Sequence, residues 1–571
     1  MNRLFSDHKK RRVIDLDGGW LFIKDEQDEG REKGWCSRLP DGACRVTVPS
    51  LWNNELGMLN YEGACWYEKR FYTEGGTLRF VFESVMTAAE VWLDGGYLGS
   101  HYGGFTEVDM IAEGVCQGEH TLVLRVDNSF DESSIPQRVC DWFNYGGIAR
   151  SVSVEELSGV AVLSCRLIYE LADDLGSAKC RCRMELYNAD DKDANAPIVA
   201  KVGDTDIFKG VIAVKSRGRV EITTPSAVVP SPVLWDVGAP KLYTLEVKTP
   251  SDDLIDRVGF RRIEVKDGEI LLNGKPVTFR GVNRHEEHPD WGFAFPAKLM
   301  KRDLDLIEEM NCNSIRGSHY PNSRIFLDML DERGVMFWSE IPIWGVGFGE
   351  KALSSPKVVE RGLEMHREMT KQYYNHPSIV IYGMHNEIRT ELPCAYEMSQ
   401  KYAELLRAEG GNRLITHASS HPFEDSSMEF DDVICINAYK GWYGGRLSDW
   451  DTFVEKFDDH RGQMGLSDKP VIMSEFGAAA LSGYHSHFDT VRWSEEYQSE
   501  LLEYAINLFD RTDYMRGTFV WQFCNIRTSP SMDINRARYF NNKGIVDEYR
   551  NPKAAYFKVR EIYGKIKKRT Q

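Results

Sequence analysis

Apolar and polar positions alternate with a period of two over the N-terminal part of this chain. The runs are short and broken by Gly, Asp and Asn, a pattern that predicts strands rather than helices. Thr77–Phe82, Ala89–Leu93 and His120–Val126 are examples, the last alternating as a half-buried strand does. From about Val13 to Glu156 no helix-length periodic stretch intervenes, so residues 1–156 are expected to form a β-sandwich. Residues 157–262 continue in the same style, with runs such as Arg181–Leu186 and Lys241–Lys248. Their length of roughly 100 residues suits an immunoglobulin-like sandwich.

After Ile263 the period changes. Met300, Leu304 and Ile307 fall on one face of Ala297–Met310 at i, i+4 and i+7, which predicts an amphipathic helix. Strand-like runs then alternate with helices to the end. They are Val277–Asn283, Asn313–Ser318, Val335–Pro342, Ser378–Glu387, Leu414–Ser420, Asp432–Tyr439, Pro470–Gly477 and Met515–Cys524. Eight strands with intervening helices over residues 263–571 fit a (β/α)8 TIM barrel. A doubly wound open sheet is the rival, but no Gly-rich phosphate loop follows any of these strands.

Composition narrows the function classes. A formal net charge of −17, spread without long acidic runs, argues against nucleic acid or an anionic membrane as the main partner. No stretch of about 18 apolar residues predicts a membrane span. The N-terminus turns polar at once and lacks the apolar run of a secretory signal, so a cytoplasmic location is expected. The 12 cysteines are scattered, and Cys180 and Cys182 alternate on one predicted strand. That placement suits small buried hydrophobes in a reducing compartment.

Two glutamates stand out. Glu387 in Met384-His385-Asn386-Glu387 and Glu475 in Met473-Ser474-Glu475-Phe476-Gly477 each close an apolar, β-branched run. A carboxylate in that position points out at the top of a barrel, where such enzymes keep their chemistry. A pair of them is what glycoside hydrolysis needs, one to protonate the leaving oxygen and one to meet the charge developing at the sugar carbon. A lone strand-end glutamate is more often a structural ion pair, but the other predicted strand ends are rich in polar and aromatic groups. They include Asn283 to His288, Arg316 to Pro321, Asn437 to Tyr443 and Val520 to Phe523. Amides, hydroxyls and flat rings are what a sugar site uses. His285, Glu286, Glu287 and His288 can also be read as metal ligands, yet His-x-x-His matches no familiar zinc spacing and no Cys pair accompanies it. No Gly-x-Ser-x-Gly nucleophile elbow is present.

At these residues the sequence resembles glycoside hydrolase family 2. Asn273-Gly274-Lys275-Pro276 with Arg280 to Glu286 looks like its first signature, and Asn386-Glu387 and Ser474 to Gly477 look like its acid/base and nucleophile motifs. Tyr61-Glu62-Gly63, Trp66-Tyr67 and Phe143 to Ile148 match its sugar-binding domain, and Val258 to Arg261 its domain junction. The resemblance implies a jelly-roll sandwich, an immunoglobulin-like domain and a catalytic barrel. Within the family the likeness is to the bacterial β-glucuronidases, because Asn541-Asn542-Lys543-Gly544 is similar to their Asn-x-Lys element, which holds the substrate carboxylate. An ammonium beside an amide donor offers a uronate charge-assisted hydrogen bonds that a neutral hexose cannot accept.

The resemblance also implies a role for each residue of the site. Glu475 is the nucleophile and Glu387 the acid/base. Asn386 holds the sugar 2-hydroxyl and Tyr439 orients Glu475. His319 and Asp141 bind ring hydroxyls, and Trp521 walls the pocket. Tyr443, Asn541 and Lys543 hold the carboxylate, and His285 is scaffold. The expected activity is retaining hydrolysis of terminal β-D-glucuronides, small or oligosaccharide, with no metal or cofactor required and a dimer or tetramer as the assembly. The alternatives are a β-galacturonidase or mixed hexuronidase, then a β-galactosidase or β-mannosidase, and from another class a binding protein on an inactive scaffold. Compared with the subgroup, the stretch from Trp344 to Asn375 is short, which implies an open site, and accessory C-terminal domains of some relatives are not expected. The spacing from Trp521 to Asn541 is long, leaving Arg536 and Arg538 as candidate partners for the carboxylate.

Overall fold

The computed structural model describes residues 3–345, 347–529 and 536–570. The N-terminal region is a sandwich of two antiparallel sheets. A four-stranded sheet runs Arg12–Asp15, Val152–Leu157, Gly76–Phe82, Val108–Val115. It faces a six-stranded sheet ordered Cys44–Val48, Gly18–Asp25, Ala64–Thr73, Gly118–Asp127, Ala88–Leu93, Gly96–Tyr102. Trp20, Phe22, Tyr67, Phe80, Leu122 and Leu124 fill the layer between them.

The second sandwich packs two four-stranded antiparallel sheets around Cys180, Cys182, Met184, Ile198 and Val247. Its strand Ser177–Asn188 shows the alternation the sequence predicts. Ala178, Cys180, Cys182, Met184 and Leu186 point into the core while Lys179 and Arg181 face outward.

The rest is a closed parallel barrel of eight strands. They are β1 (Phe279–Asn283), β2 (Ser314–Gly317), β3 (Met336–Glu340), β4 (Ile379–Asn386), β5 (Leu414–Ser419), β6 (Ile434–Asn437), β7 (Val471–Phe476) and β8 (Met515–Val520). Each lies within one of the eight runs anticipated from sequence. Almost every strand residue is buried, as expected of parallel strands covered by helices outside and side chains within. The helices are α1 (Ala297–Glu309), α2 (Arg324–Arg333), α3 (Pro356–Tyr373), α4 (Pro393–Glu409), α5 (Asp449–Gln463), α6 (Glu495–Asp510) and α7 (Ala554–Thr570), with a short turn at Glu350–Leu353 before α3. Local chemistry sets their ends. Pro356 and Pro393 occupy first turns, Ser494 caps α6 by accepting from the Tyr497 amide, and Gly334 closes α2 in the left-handed region.

The first sandwich docks onto the barrel through the segment around Trp142. That indole packs against His285, His319, Tyr320 and Trp344 with ring centroids 5.7–6.0 Å apart. Tyr145 donates to Glu287 at 2.8 Å, and Arg150 pairs with Glu286 at 2.9 Å. This docking carries Asp141 to the C-terminal face of the barrel.

Candidate active site

β4 and β7 both depart from regular geometry where they deliver their glutamates. The register of β4 against β5 shifts between Gly383 and Asn386, and that of β7 against β8 between Met473 and Phe476. Such irregularities re-aim side chains at strand ends. Glu387 itself has φ 51°, in the left-handed region, a conformation that costs a side-chain-bearing residue on the order of 1–3 kcal/mol and that clusters at working sites. Gly477 is required by crowding, since a Cβ there would lie 2.3 Å from the Trp521 carbonyl oxygen.

Both glutamates open into one cavity of about 1050 Å³. Asp141, Trp344, Asn437, Tyr439, Tyr443, Trp521 and Arg536 share its lining. From the stretch between Trp344 and Asn375 only Trp344 contributes, among the described residues, so no long cover closes the mouth.

Arg316 at the end of β2 organises the floor. It grips Glu340 with two nitrogens at 2.9 Å each, donates to Glu475 Oε1 at 2.8 Å and donates to Asn386 Oδ1 at 2.7 Å. Tyr439 donates to the other oxygen of Glu475 at 2.7 Å. Asn437 joins the two halves, its amide nitrogen reaching Glu387 Oε1 at 2.9 Å and Asn386 Oδ1 at 3.0 Å. Asn386 Nδ2 and His319 Nε2, both buried, find no hydrogen-bond partner among the described residues. Burial and the Arg316 charge hold the His319 ring far below its ordinary range, so it is neutral. Nδ1 then carries the proton toward Glu340 at 2.7 Å, which leaves Nε2 as an acceptor, 3.8 Å from Glu475. An amide donor and an imidazole acceptor, both unmet, suit sugar hydroxyls.

Burial drives both carboxyls above the ordinary range. The charge of Glu387 adds to the rise of Glu475, and that of Asp141 to the rise of Glu387. Coupled acids of this kind titrate as a pair. The donors decide where the proton stays: Glu475 accepts from a guanidinium and a phenol, Glu387 from a neutral amide. These donors favour the charge on Glu475 and the proton on Glu387.

A second centre lies beside the pair. Lys543 is buried, with its ammonium 2.7 Å from the Tyr443 hydroxyl and 4.7, 5.4 and 5.9 Å from the ring centroids of Tyr443, Tyr439 and Trp442. Burial, then the cation of Arg536, pushes its pKa down to about 7. No carboxylate pairs with it among the described residues. Arg536 reaches Asp141 at 2.6 Å, and Asn541 donates to the same carboxylate at 2.6 Å while its own oxygen accepts from the Lys543 amide at 3.2 Å. Of the two arginine candidates, Arg536 lines the cavity, whereas Arg538 is spent on Glu548 at 2.8 Å. A buried ammonium without its own counter-ion is costly and is stabilised when an anionic ligand arrives.

All the residues singled out from sequence are brought to this one region. Glu387, Glu475, Asp141, Tyr439, Tyr443 and Trp521 line the cavity; His319 stacks on Trp521 at 5.1 Å, and Asn386, Asn541 and Lys543 are hydrogen-bonded to the lining residues Asn437, Asp141 and Tyr443. His285 is behind the wall, bonded to Tyr320 at 3.1 Å. Glu286 and Glu287 are committed to Arg150 and Tyr145, and the carboxylate–histidine clusters at His8 and His376 lie elsewhere. Sequence reasoning quoted Arg316 and Asn437 without giving them roles, and it missed Glu340. The signal available was their position closing β2, β6 and β3.

Comparison with known proteins agrees with the geometry. Residues 13–157 match the model for glycosyl hydrolases family 2, sugar binding domain; 160–261 match glycosyl hydrolases family 2; and 263–568 match its TIM barrel domain. A Paenibacillus borealis beta-glucuronidase is 28% identical over 98% of both chains. A GH2 beta-galacturonidase from Eisenbergiella tayi, solved with galacturonate, superposes with TM-score 0.92 at 31% identity over 99% of both chains. Ruminococcus gnavus beta-glucuronidase superposes with TM-score 0.87 at 25% identity, again over 99% of both. With all three of its regions matched in order and its acid pair sharing one cavity, this chain belongs to the glycosyl hydrolases family 2.

Proposed function

We propose that the chain hydrolyses terminal β-D-glucuronides with retention of configuration, releasing glucuronic acid and an aglycone. One observation carries the reading: Lys543 is a buried cation with no counter-ion among the described residues, held by Tyr443 at the edge of the cavity that contains the acid pair. The glucuronidase relatives point the same way.

Glu475 attacks the anomeric carbon while Glu387 gives its proton to the departing glycosidic oxygen. The C–O bond to the aglycone breaks as the ester bond to Glu475 forms. Glu387, now ionised, takes a proton from water, whose oxygen attacks the same carbon and expels Glu475. Two inversions give net retention, the course expected when the carboxyls stand about 5–5.5 Å apart. Arg316 and Tyr439 stabilise Glu475 before attack and after release. Asn386 Nδ2 and His319 Nε2 offer the sugar a donor and an acceptor.

No step calls for a metal or organic cofactor. The reading extends to a cytoplasmic homo-oligomer, dimer or tetramer. The cysteines are unpaired, as suits a reducing compartment, and light scattering measures the assembly.

A β-galacturonide is the second reading, favoured by the 31% identity to a β-galacturonidase. It differs only in the direction of the 4-hydroxyl and uses the same cationic grip. A panel of p-nitrophenyl β-glucuronide, β-galacturonide, β-galactoside and β-mannoside tests both. The uronides are expected to turn over at least about 100-fold faster than the neutral sugars; a faster neutral sugar overturns the assignment. Proton NMR of the first product formed tests retention.

A further inference from the structure

The cavity extends well past the acid pair. Its volume of about 1050 Å³ lies just above the roughly 300–1,000 Å³ that encloses a drug-sized ligand, far more than one sugar ring occupies. The outer lining comes from two places. The loop after β5 supplies His421, Pro422, Phe423 and Glu424; the loop after β6 with α5 supplies Lys440, Asp449, Thr452, Phe453 and Lys456.

On α5 the spacing has a cause. Residues 449, 452, 453 and 456 follow i, i+3, i+4, i+7, so one helix face is presented to the cavity. Phe453 is buried on that face, and Phe423 stands edge-on to it at 5.8 Å while remaining 40% exposed. An exposed phenyl held upright by a second ring is a platform for another flat or C–H-lined face. Lys440 directly follows Tyr439, which holds Glu475, and its ammonium lies 5.2 Å over the Phe453 ring. Lys440 and Lys456 have no carboxylate within ion-pair distance among the described residues. Two carboxylates share this wall. Asp449 is turned onto the Arg446 amide at 2.9 Å, and Glu424 stands on the opposite loop next to His421.

Resting on the glucuronidase reading, we propose that this outer wall is a subsite for an anionic aglycone. The aglycone's ring lies on Phe423, and its carboxylate or sulfate meets Lys440 and Lys456. The chemistry fits an aromatic acid or an acidic second sugar equally, and the substrates of the test distinguish them.

The experiment compares kcat/KM for three substrates by released glucuronic acid. They are phenyl β-glucuronide, 4-carboxyphenyl β-glucuronide and a β-glucuronosyl disaccharide with a sulfated reducing sugar. Each is run with the wild-type protein and with the Lys440→Met/Lys456→Met double variant. The readout is the ratio of charged to uncharged substrate, which cancels any change that affects all substrates alike. Two partly exposed charge pairs predict that the double variant lowers this ratio about 3–10-fold, and that high salt lowers the wild-type ratio as well. A fall for the aryl acid alone, or for the sulfated disaccharide alone, supports the subsite and names its source. A ratio unchanged by the substitutions for both charged substrates overturns it. Wild-type protein that cleaves no uronide at all overturns the parent reading instead.

Discussion

The ends of β1 and β2 carry chemically similar clusters with opposite fates. After β1, Arg284 and Arg550 both grip Asp303, at 3.0 and 2.9 Å, and all three side chains are fully buried. The nitrogen of Arg284 left without a hydrogen bond is accompanied by the Phe326 ring, 4.1 Å below the guanidinium. At β2, Arg316 grips Glu340 and Glu475, but Glu475 keeps an edge toward the cavity, and its neighbours His319 and Asn386 each retain an unmet atom. A closed cluster supports the fold; an open one leaves polar valence for a ligand. The difference lies in where the unpaired atoms stand, against a buried ring in one case and beside a carboxylate that lines the cavity in the other, rather than in residue type or burial.

Substitutions on the two sides should separate cleanly. Glu475→Gln is expected to cut turnover of an aryl β-glucuronide by about 10⁴-fold or more while leaving the melting temperature nearly unchanged. Asp303→Asn should do the reverse, lowering stability by about 3–5 kcal/mol because two buried guanidinium groups lose their partner, with kcat per folded molecule retained. Melting curves beside active-site titration check both, and a catalytic loss from Asp303→Asn without destabilisation would erase the distinction. Glu387→Ala is expected to cost roughly 10²–10⁴-fold on poor leaving groups and much less on p-nitrophenol, which departs without a proton. Added azide should then yield a β-glycosyl azide, and an α product would contradict the assigned geometry.

Lys543→Ala should remove about 2–4 kcal/mol of transition-state stabilisation for uronides and far less for any neutral glycoside, since it deletes the partner of a buried carboxylate. Equal losses on both would show that Lys543 does not read the acid. The smallest effect concerns pH. Because burial and Arg536 lower the Lys543 pKa to about 7, the free protein loses the ammonium as pH rises through that value, and kcat/KM for uronides should fall with it. A bound carboxylate favours the ammonium and raises that pKa, so the alkaline limb of kcat should lie at higher pH than that of kcat/KM. In Lys543→Arg the limb near neutrality should vanish; its persistence would assign it to another group.

Much of this was legible in the chain because its causes are local. β-Branched runs such as Ile379–Tyr382 and Val471–Ile472 have few ways to be buried other than as inner strands, so all eight barrel strands and the two glutamates that close them could be located. The connections between these residues were not legible. Arg316 serves Glu340, Glu475 and Asn386 at once, across three other strands, and nothing in Arg316-Gly317-Ser318 announces it. The same holds for Arg536, whose partner Asp141 comes from the first sandwich, nearly 400 positions earlier. The polar density of Asn283 to His288 misled in the other direction, since Glu286 and Glu287 fasten the first sandwich to the barrel and Arg284 is held by Asp303 inside it.

Asp141 reaches the pocket, and Trp142 backs His319, only because the first sandwich is seated on the barrel. A barrel prepared by itself would therefore keep its acids yet present a breached wall, open to bulk water beside His319. Loosening that seat, by heat or by trimming Tyr145, should extinguish turnover while the eight-stranded cylinder still holds its shape, which would place control of working lifetime in a sandwich that carries neither Glu387 nor Glu475.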